Sequence, residues 1–206
     1  SGVIDEDMLN DGFMFDGSSI AGWKAINESD MILMPDLGAT YIDPFSATPM
    51  LILVCDIVEP STGQLYGRDP RSTAKRGEAY LKASGIGDTV YVGPEAEFFV
   101  FDDVRFGLGY NEGFFHLDDI ELPTNSGRSY EQGNMAHRPR AKGGYFPVNP
   151  IDASQDIRSE MLSTMKRMGM KVDKHHHEVA TAQHELGLIF GGLTEQADNI
   201  QKYKYV

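Results

Sequence analysis

The sequence predicts an α+β fold in two parts: a small sheet module over residues 1–68, then an antiparallel sheet with packed helices over residues 69–206. Three observations predict it. Short apolar runs, Met31–Met34 and Met50–Ile57, follow one another with little helical periodicity before residue 67. Asp69-Pro70-Arg71 then marks a helix start, an Asp N-cap before a proline at the first helical position. Beyond it, the stretches around Glu95–Phe101 and His175–Glu185 set carboxylates among sheet-forming residues.

The acidic start, Asp5-Glu6-Asp7, leads through Gly12-Phe13-Met14-Phe15 into the loop Asp16-Gly17-Ser18-Ser19-Ile20 with Trp23, the single tryptophan. Taken alone, this loop is a turn whose Asp caps its own backbone and whose Trp packs for area. Met31–Met34 reads as a short buried strand stopped by Pro35-Asp36, Tyr41–Phe45 as a turn, Met50–Ile57 as a second strand, and Glu59–Gly63 as the turn that ends it. The helix opened at Asp69 runs to Gly85. Residues 103–144, rich in Gly, Asn and Ser, read as a functional loop or irregular short strands. Gly143-Gly144 reads as a turn or as a close approach of backbone to a neighbour. Asp152-Ala153-Ser154-Gln155 is a capping-box variant before a helix whose Ile157, Met161, Leu162, Met165 and Met168 keep helical spacing, so its methionines fill a core.

The chain carries 18 Lys and Arg against 31 Asp and Glu, a formal net charge of −13. That balance argues against a nucleic-acid partner, which needs clustered cations. No apolar run approaches the roughly 20 residues of a membrane helix, and no signal-peptide pattern opens the chain, so no membrane association is expected. The single cysteine, Cys55, reads as a buried thiol in a reducing compartment, which implies a cytoplasmic protein. The chain opens Ser1-Gly2 without a methionine and stops in a helical run with no cap, so the natural chain is expected to be longer.

Gly93-Pro94-Glu95-Ala96-Glu97-Phe98-Phe99 is the stretch around which the chemistry gathers. On a strand Glu95 and Glu97 share a face, roughly 6–7 Å apart. Two solvated glutamates on an edge strand are the plain alternative; two carboxylates on a buried strand call for a cation in front of them. The tract Asp173-Lys174-His175-His176-His177-Glu178 runs straight into apolar residues. A His-rich tract by itself is more often solvated or structural. Extended, however, it puts His176 and Glu178 on one face, and a short turn lets Glu178 and Glu185 lie on paired strands. Glu95, Glu97, Glu178 and Glu185 together suit Mg2+ or Mn2+ over softer metals, and ions so held are a usual way to bind a nucleoside triphosphate. No Walker loop or kinase signature is present, so phosphate is expected to be held by metals and by basic groups from elsewhere.

In order along nearly the whole chain, Phe15–Ile20 with Trp23, Asn27–Met31, Gly93–Phe99, Lys142–Val148 and His175–Glu185 resemble the bacterial type I glutamine synthetase family. The resemblance covers the N-terminal half of such a protein. It implies a β-grasp-like module followed by the first part of a catalytic domain, with Glu97, Glu178 and Glu185 on one Mg2+ or Mn2+ ion and Glu95 on a second that bridges the phosphates of ATP. Glu185 is chosen over His184 for its ligand type, because the interval from Glu178 is one residue shorter than in enteric members. Asp16 matches the acid that binds and deprotonates ammonium, with Ser19 and Asp30 beside it. Asp173 and Phe190 match nucleotide contacts, Asp173 being one methylene shorter than the usual Glu. The implied reaction joins glutamate and ammonia at the expense of ATP, through γ-glutamyl phosphate, in a homo-oligomeric ring such as a dodecamer. The later ligands and phosphate-binding arginines of the family pattern do not occur in these residues, so this stretch alone is not expected to make glutamine. The alternatives are a ligase joining glutamate to a polyamine, disfavoured by the Asp16-Gly17-Ser18-Ser19 loop, and a silent assembly protein, disfavoured by the four glutamates.

Overall fold

The computed structural model describes residues 2–122 and 138–206, which divide into two compact units. Residues 123–137, part of the connection expected over 103–144, lie outside the described residues.

One unit comprises the chain up to Gly93 together with Phe190–Tyr205. A short helix, α1 (Glu6–Asp11), precedes the antiparallel sheet β1 (Phe13–Asp16), β2 (Asp30–Ile42) and β3 (Leu51–Val58), in that spatial order. Gly12 makes the change from helix to strand: its φ is +82°, and a Cβ there would lie 2.7 Å from the Leu33 carbonyl oxygen. Strand β2 is much longer than the sequence pattern suggests. It passes through Pro35-Asp36 and takes in Tyr41 and Ile42, where a turn was expected. The proline is tolerated because pairing with β3 shifts register between Pro35 and Thr40, the irregularity at which a missing N–H costs least. Met31, Ile57 and Tyr66 are buried, with Phe15, Trp23 and Leu33 packed on them, and the Tyr66 hydroxyl donates to the Trp23 carbonyl at 2.6 Å. Cys55 is half-buried rather than buried, and desolvation raises its thiol pKa.

Helix α2 (Pro70–Ser84) starts as the sequence predicts. The Asp69 carboxylate accepts from the backbone N–H groups of Arg71 and Ser72, and Gly85 closes the helix at φ +71°. A two-stranded ladder joins β4 (Tyr91–Val92) to a later strand, Gly191–Gly192, which leads into a C-terminal helix, Leu193–Tyr205. Arg71, 9% exposed, binds Asp36 of β2, Asp56 of β3 and both carboxylate oxygens of Asp198 in that helix.

The other unit is Pro94–Ile189. It contains β5 (Glu97–Phe99), the hairpin β6 (Asp103–Leu108) with β7 (Gly113–Asp118), α3 (Gln155–Arg167), β8 (Val172–His177) and β9 (Gln183–Leu188). The Gly191–Gly192 strand of the first unit is thus β10 and the Leu193–Tyr205 helix α4. Strands β5, β9 and β8 form an antiparallel sheet in that order, with α3 against β8 and β9. The strand expected from Glu95 to Phe101 shortens to three residues, so Glu95 precedes it, and Phe99 and Val100 are 48% and 38% exposed rather than core. Asp152 does not cap α3. Ser154 is the N-cap, without a side-chain cap bond, and the Asp152 carboxylate accepts from the Ser154 N–H at 3.1 Å and from Arg158. Met165, Met168 and Met170 are at most 5% exposed and fill the core.

Candidate metal centre

Antiparallel register lines up the chemistry of the second unit. Glu97 of β5 stands opposite Glu185 of β9, and Glu185 stands opposite His176 of β8. Opposed residues share a face, so this row crosses three strands on one side of the sheet. Glu178 joins the row just beyond β8, where its N–H donates to the Gln183 carbonyl at 2.8 Å. Ligand-type atoms of His176, Glu178 and Glu185 all lie within 4.8 Å of one another. His176 Nδ1 is 3.4 Å from Glu178 Oε1, and its Nε2 is 3.5 Å from Glu185 Oε2. Tyr145 and Phe146 meet the His176 ring edge-on, with centroids 5.8 and 5.0 Å away.

Gly144 lets that aromatic wall approach. Its N–H donates to the Val179 carbonyl at 3.0 Å, and a Cβ would lie 2.9 Å from His177 Cε1 and 3.2 Å from the carbonyl oxygens of Glu178 and Val179. Both sequence readings of the glycine pair are found: Gly143 closes a turn, its N–H donating to the Arg140 carbonyl at 2.8 Å, and Gly144 makes the close backbone approach. Gly144→Ala is accordingly expected to cost about 1–3 kcal/mol, the usual range for overpacking, read as a lowered midpoint in urea unfolding.

Burial raises the Glu185 pKa. His176 opposes that rise, while the negative charges of Glu178, Glu95 and Glu97 add to it. The other three sequence-predicted carboxylates therefore act on Glu185, and a divalent cation would offset that repulsion. Carboxylate oxygens with one imidazole fit Mg2+ or Mn2+.

Of the predicted ligands, Glu178 and Glu185 come together with His176, which the sequence offered only as a residue sharing a face with Glu178. Glu97 lies one strand over, its carboxylate accepting from Gln183 Nε2. Glu95 takes part through its charge. Asp173 is exposed on β8, beside Gly187, where a Cβ would collide with its carboxylate. In the first unit Asp16 and Asp30 are paired across β1 and β2, and Asp16 accepts from the Ser18 N–H at 2.8 Å and from the hydroxyls of Ser18 and Ser19 at 2.6 and 3.1 Å. Those bonds, that of the Ser18 hydroxyl first, hold the Asp16 carboxyl below the usual range. Phe190, also in that unit, is 64% exposed and packs edge-on against Tyr91.

Behind the same sheet lies a polar layer that the sequence reading missed. His177 Nε2 is 2.8 Å from Glu121 Oε2, and its Nδ1 is 2.6 Å from the Glu178 carbonyl. Burial opposes charge on both groups, but their mutual hydrogen bond raises the His177 pKa and lowers that of Glu121. Glu121 also accepts from the N–H groups of Ala153 and Ala182, at 2.9 and 3.1 Å, which secures the turn between β8 and β9. Nothing local in the sequence marks Glu121: it is 56 residues from His177 and precedes the undescribed segment.

Fold and site together define an α+β protein with a carboxylate-and-imidazole face suited to a divalent cation. Residues 1–60 match the family model for the glutamine synthetase β-grasp domain, and residues 67–206 the model for the glutamine synthetase catalytic domain. The chain is 66% identical over 204 residues to a glutamine synthetase of Cereibacter sphaeroides, a match covering 99% of this chain and 44% of that protein. It is 64% identical over 204 residues to one of Rhizobium meliloti (strain 1021), covering 98% and 43%. A solved glutamine synthetase of Plasmodium falciparum superposes with a TM-score of 0.86 at 29% identity, covering 98% of this chain and 40% of that one. The chain belongs to the glutamine synthetase family, and it spans about 44% of the length of these bacterial relatives.

Proposed function

We propose that the full-length protein ligates ammonia to glutamate to give glutamine, consuming ATP through γ-glutamyl phosphate. The observation that carries this reading is the cross-strand row of Glu97, Glu185 and His176, closed by Glu178. In it Glu97, Glu178 and Glu185 would hold one Mg2+ or Mn2+ ion and Glu95 would contribute to a second. Such ions, when bound, neutralise charge on the nucleotide phosphates and on the acyl phosphate that forms. The chain's own residues supply the rest: Glu97 is oriented by Gln183, and Asp16, held ionised by its serine hydrogen bonds, offers the negative charge that binds ammonium and helps its deprotonation, with Ser19 and Asp30 beside it. Asp173 and Phe190 contact the nucleotide. The sheet module, residues 1–68, and the catalytic part, residues 69–206, serve as the two working regions of a cytoplasmic protein. No described helix is long and apolar enough to cross a membrane.

The test is a coupled phosphate-release assay on the full-length protein with glutamate and ATP. Turnover dependent on ammonium is expected; turnover dependent on a polyamine instead, or none with any amine, would overturn the proposal.

We also propose that it works as a homo-oligomeric ring. The hairpin β6–β7 supports this, because Phe106 and Leu108 share a face with Phe115, which stands opposite Phe106, and the three are 78–92% exposed, an apolar surface suited to burial by another copy. The double variant Phe106→Asp and Leu108→Asp is expected to shift sedimentation toward smaller species. An unchanged profile would remove the hairpin from the interface.

A further inference from the structure

Strand alternation gives the metal-bearing sheet a reverse side, and one buried side chain grips it. Arg158 of α3 is 1% exposed. Its Nη1 donates to Asp152 Oδ1 at 3.0 Å and lies 3.0 Å from His184 Nδ1, its Nη2 binds Asp152 Oδ2, and its Nε donates to His175 Nδ1 at 3.3 Å. His175 immediately precedes His176 on β8, and His184 immediately precedes Glu185 on β9. Successive residues of a strand face opposite ways, so the guanidinium holds the reverse face at the very positions whose neighbours form the centre.

Two further observations indicate that this grip is more than packing. The β8–β9 ladder shifts register between Val172 and His175, so backbone pairing alone constrains the strands weakly just ahead of the centre. Second, His184 is 1% exposed, yet its Nε2 has no hydrogen-bond partner among the described residues. With Arg158 donating to Nδ1, the remaining proton of the neutral ring sits on that Nε2, and an orphaned buried donor costs stability. A leucine would avoid the cost but would not accept from Arg158. The ring is therefore explained by what its Nδ1 receives.

We propose that Arg158 is a positioning residue for the metal centre: anchored by Asp152, its planar fork holds His175 and His184 at a set separation, and through them the spacing of His176 and Glu185. The inference rests on the metal-centre reading above. Supporting groups that orient ligands typically change metal affinity by ~10–100-fold when altered, and a lysine, with its single ammonium, cannot reproduce a three-partner fork.

The experiment titrates the full-length protein with Mn2+ alone, following binding and the Mn2+ electron paramagnetic resonance line shape, in wild type, Arg158→Lys, His184→Leu, His184→Asn and, as a control, Glu185→Gln. His184→Asn places an amide oxygen where Nδ1 accepts and is expected to bind within about twofold of wild type, while Arg158→Lys and His184→Leu lose ~10–100-fold and change the line shape with assembly retained. If His184→Leu binds Mn2+ as His184→Asn does, the inference is overturned. It is equally overturned if Arg158→Lys and His184→Leu merely fail to fold while His184→Asn is normal, because the role is then structural. If Glu185→Gln leaves Mn2+ binding intact, the metal-centre reading itself fails; if only Glu185→Gln disturbs it, that reading stands and the role of Arg158 falls.

Discussion

Replacing Glu185 by glutamine in the full-length protein is expected to weaken Mn2+ binding by on the order of 100-fold or more and to abolish most turnover, since on the proposed reading it removes an anionic ligand at nearly constant volume. Glu185 is the member of the row that faces both Glu97 and His176 across the sheet, so its loss breaks the row at its centre. Metal titration of the variant checks this, and unaltered affinity would sink the site. The metal-free protein is expected to respond in the opposite direction. Burial and the surrounding carboxylates raise the Glu185 pKa, so its ionised form costs stability above that raised value and costs nothing once the pH is below the ordinary carboxylate range. Glutamine imitates the neutral form. Metal-free Glu185→Gln should therefore unfold at higher denaturant than wild type near neutral pH, with the advantage fading as the pH falls.

Arg71→Met is expected to destabilise the protein by about 3–5 kcal/mol, the range for breaking a buried charge network by removing one partner. The change leaves Asp36, Asp56 and Asp198 facing one another without their shared cation, with side chains only 33%, 15% and 10% exposed. Lys75 still reaches Asp56, at 2.6 Å, and offsets part of the loss. The variant should also flatten the acid limb of stability. A hydrogen bond from Arg71 is the main cause holding the Asp36 carboxyl below its ordinary value, so Asp36 contributes stability that is present above the ordinary carboxylate range and lost as the pH falls through its depressed value. Urea unfolding of both proteins across acidic pH measures this. A loss under about 1 kcal/mol, typical of a surface pair, would show that the network is solvated rather than buried.

How much was legible in advance follows the range of the interactions. Asp69-Pro70 and Gly85 bounded α2 because a cap and a left-handed stop act over three or four residues. The spacing of α3 foretold the burial of Met165 and Met168 for the same reason, whereas Ile157, placed with them, is 48% exposed in the first turn. Pro35 misled, since its missing N–H matters only where a partner strand expects it, and β3 makes its register shift there. The strand around Glu95 was read too long because β-propensity reflects burial against neighbours, and Phe99 and Val100 have few. Among the site residues, Glu178 and Glu185 could be paired from the short turn between them, whereas Arg158 resembles any other arginine of an exposed helix face until the sheet behind it is in place.

By itself, then, the chain's order of residues determined the local elements, the donor types and the alternation that turns His176 and Glu185 away from His175 and His184. Tertiary structure alone decided that Glu97 stands opposite Glu185, that Arg71 meets Asp198 across 127 residues, and that Arg158 closes the reverse side of the carboxylate-bearing sheet. The reason is physical: a side chain's direction is settled within its own strand or helix, but its partner is settled by register and burial, which exist only once distant segments have packed.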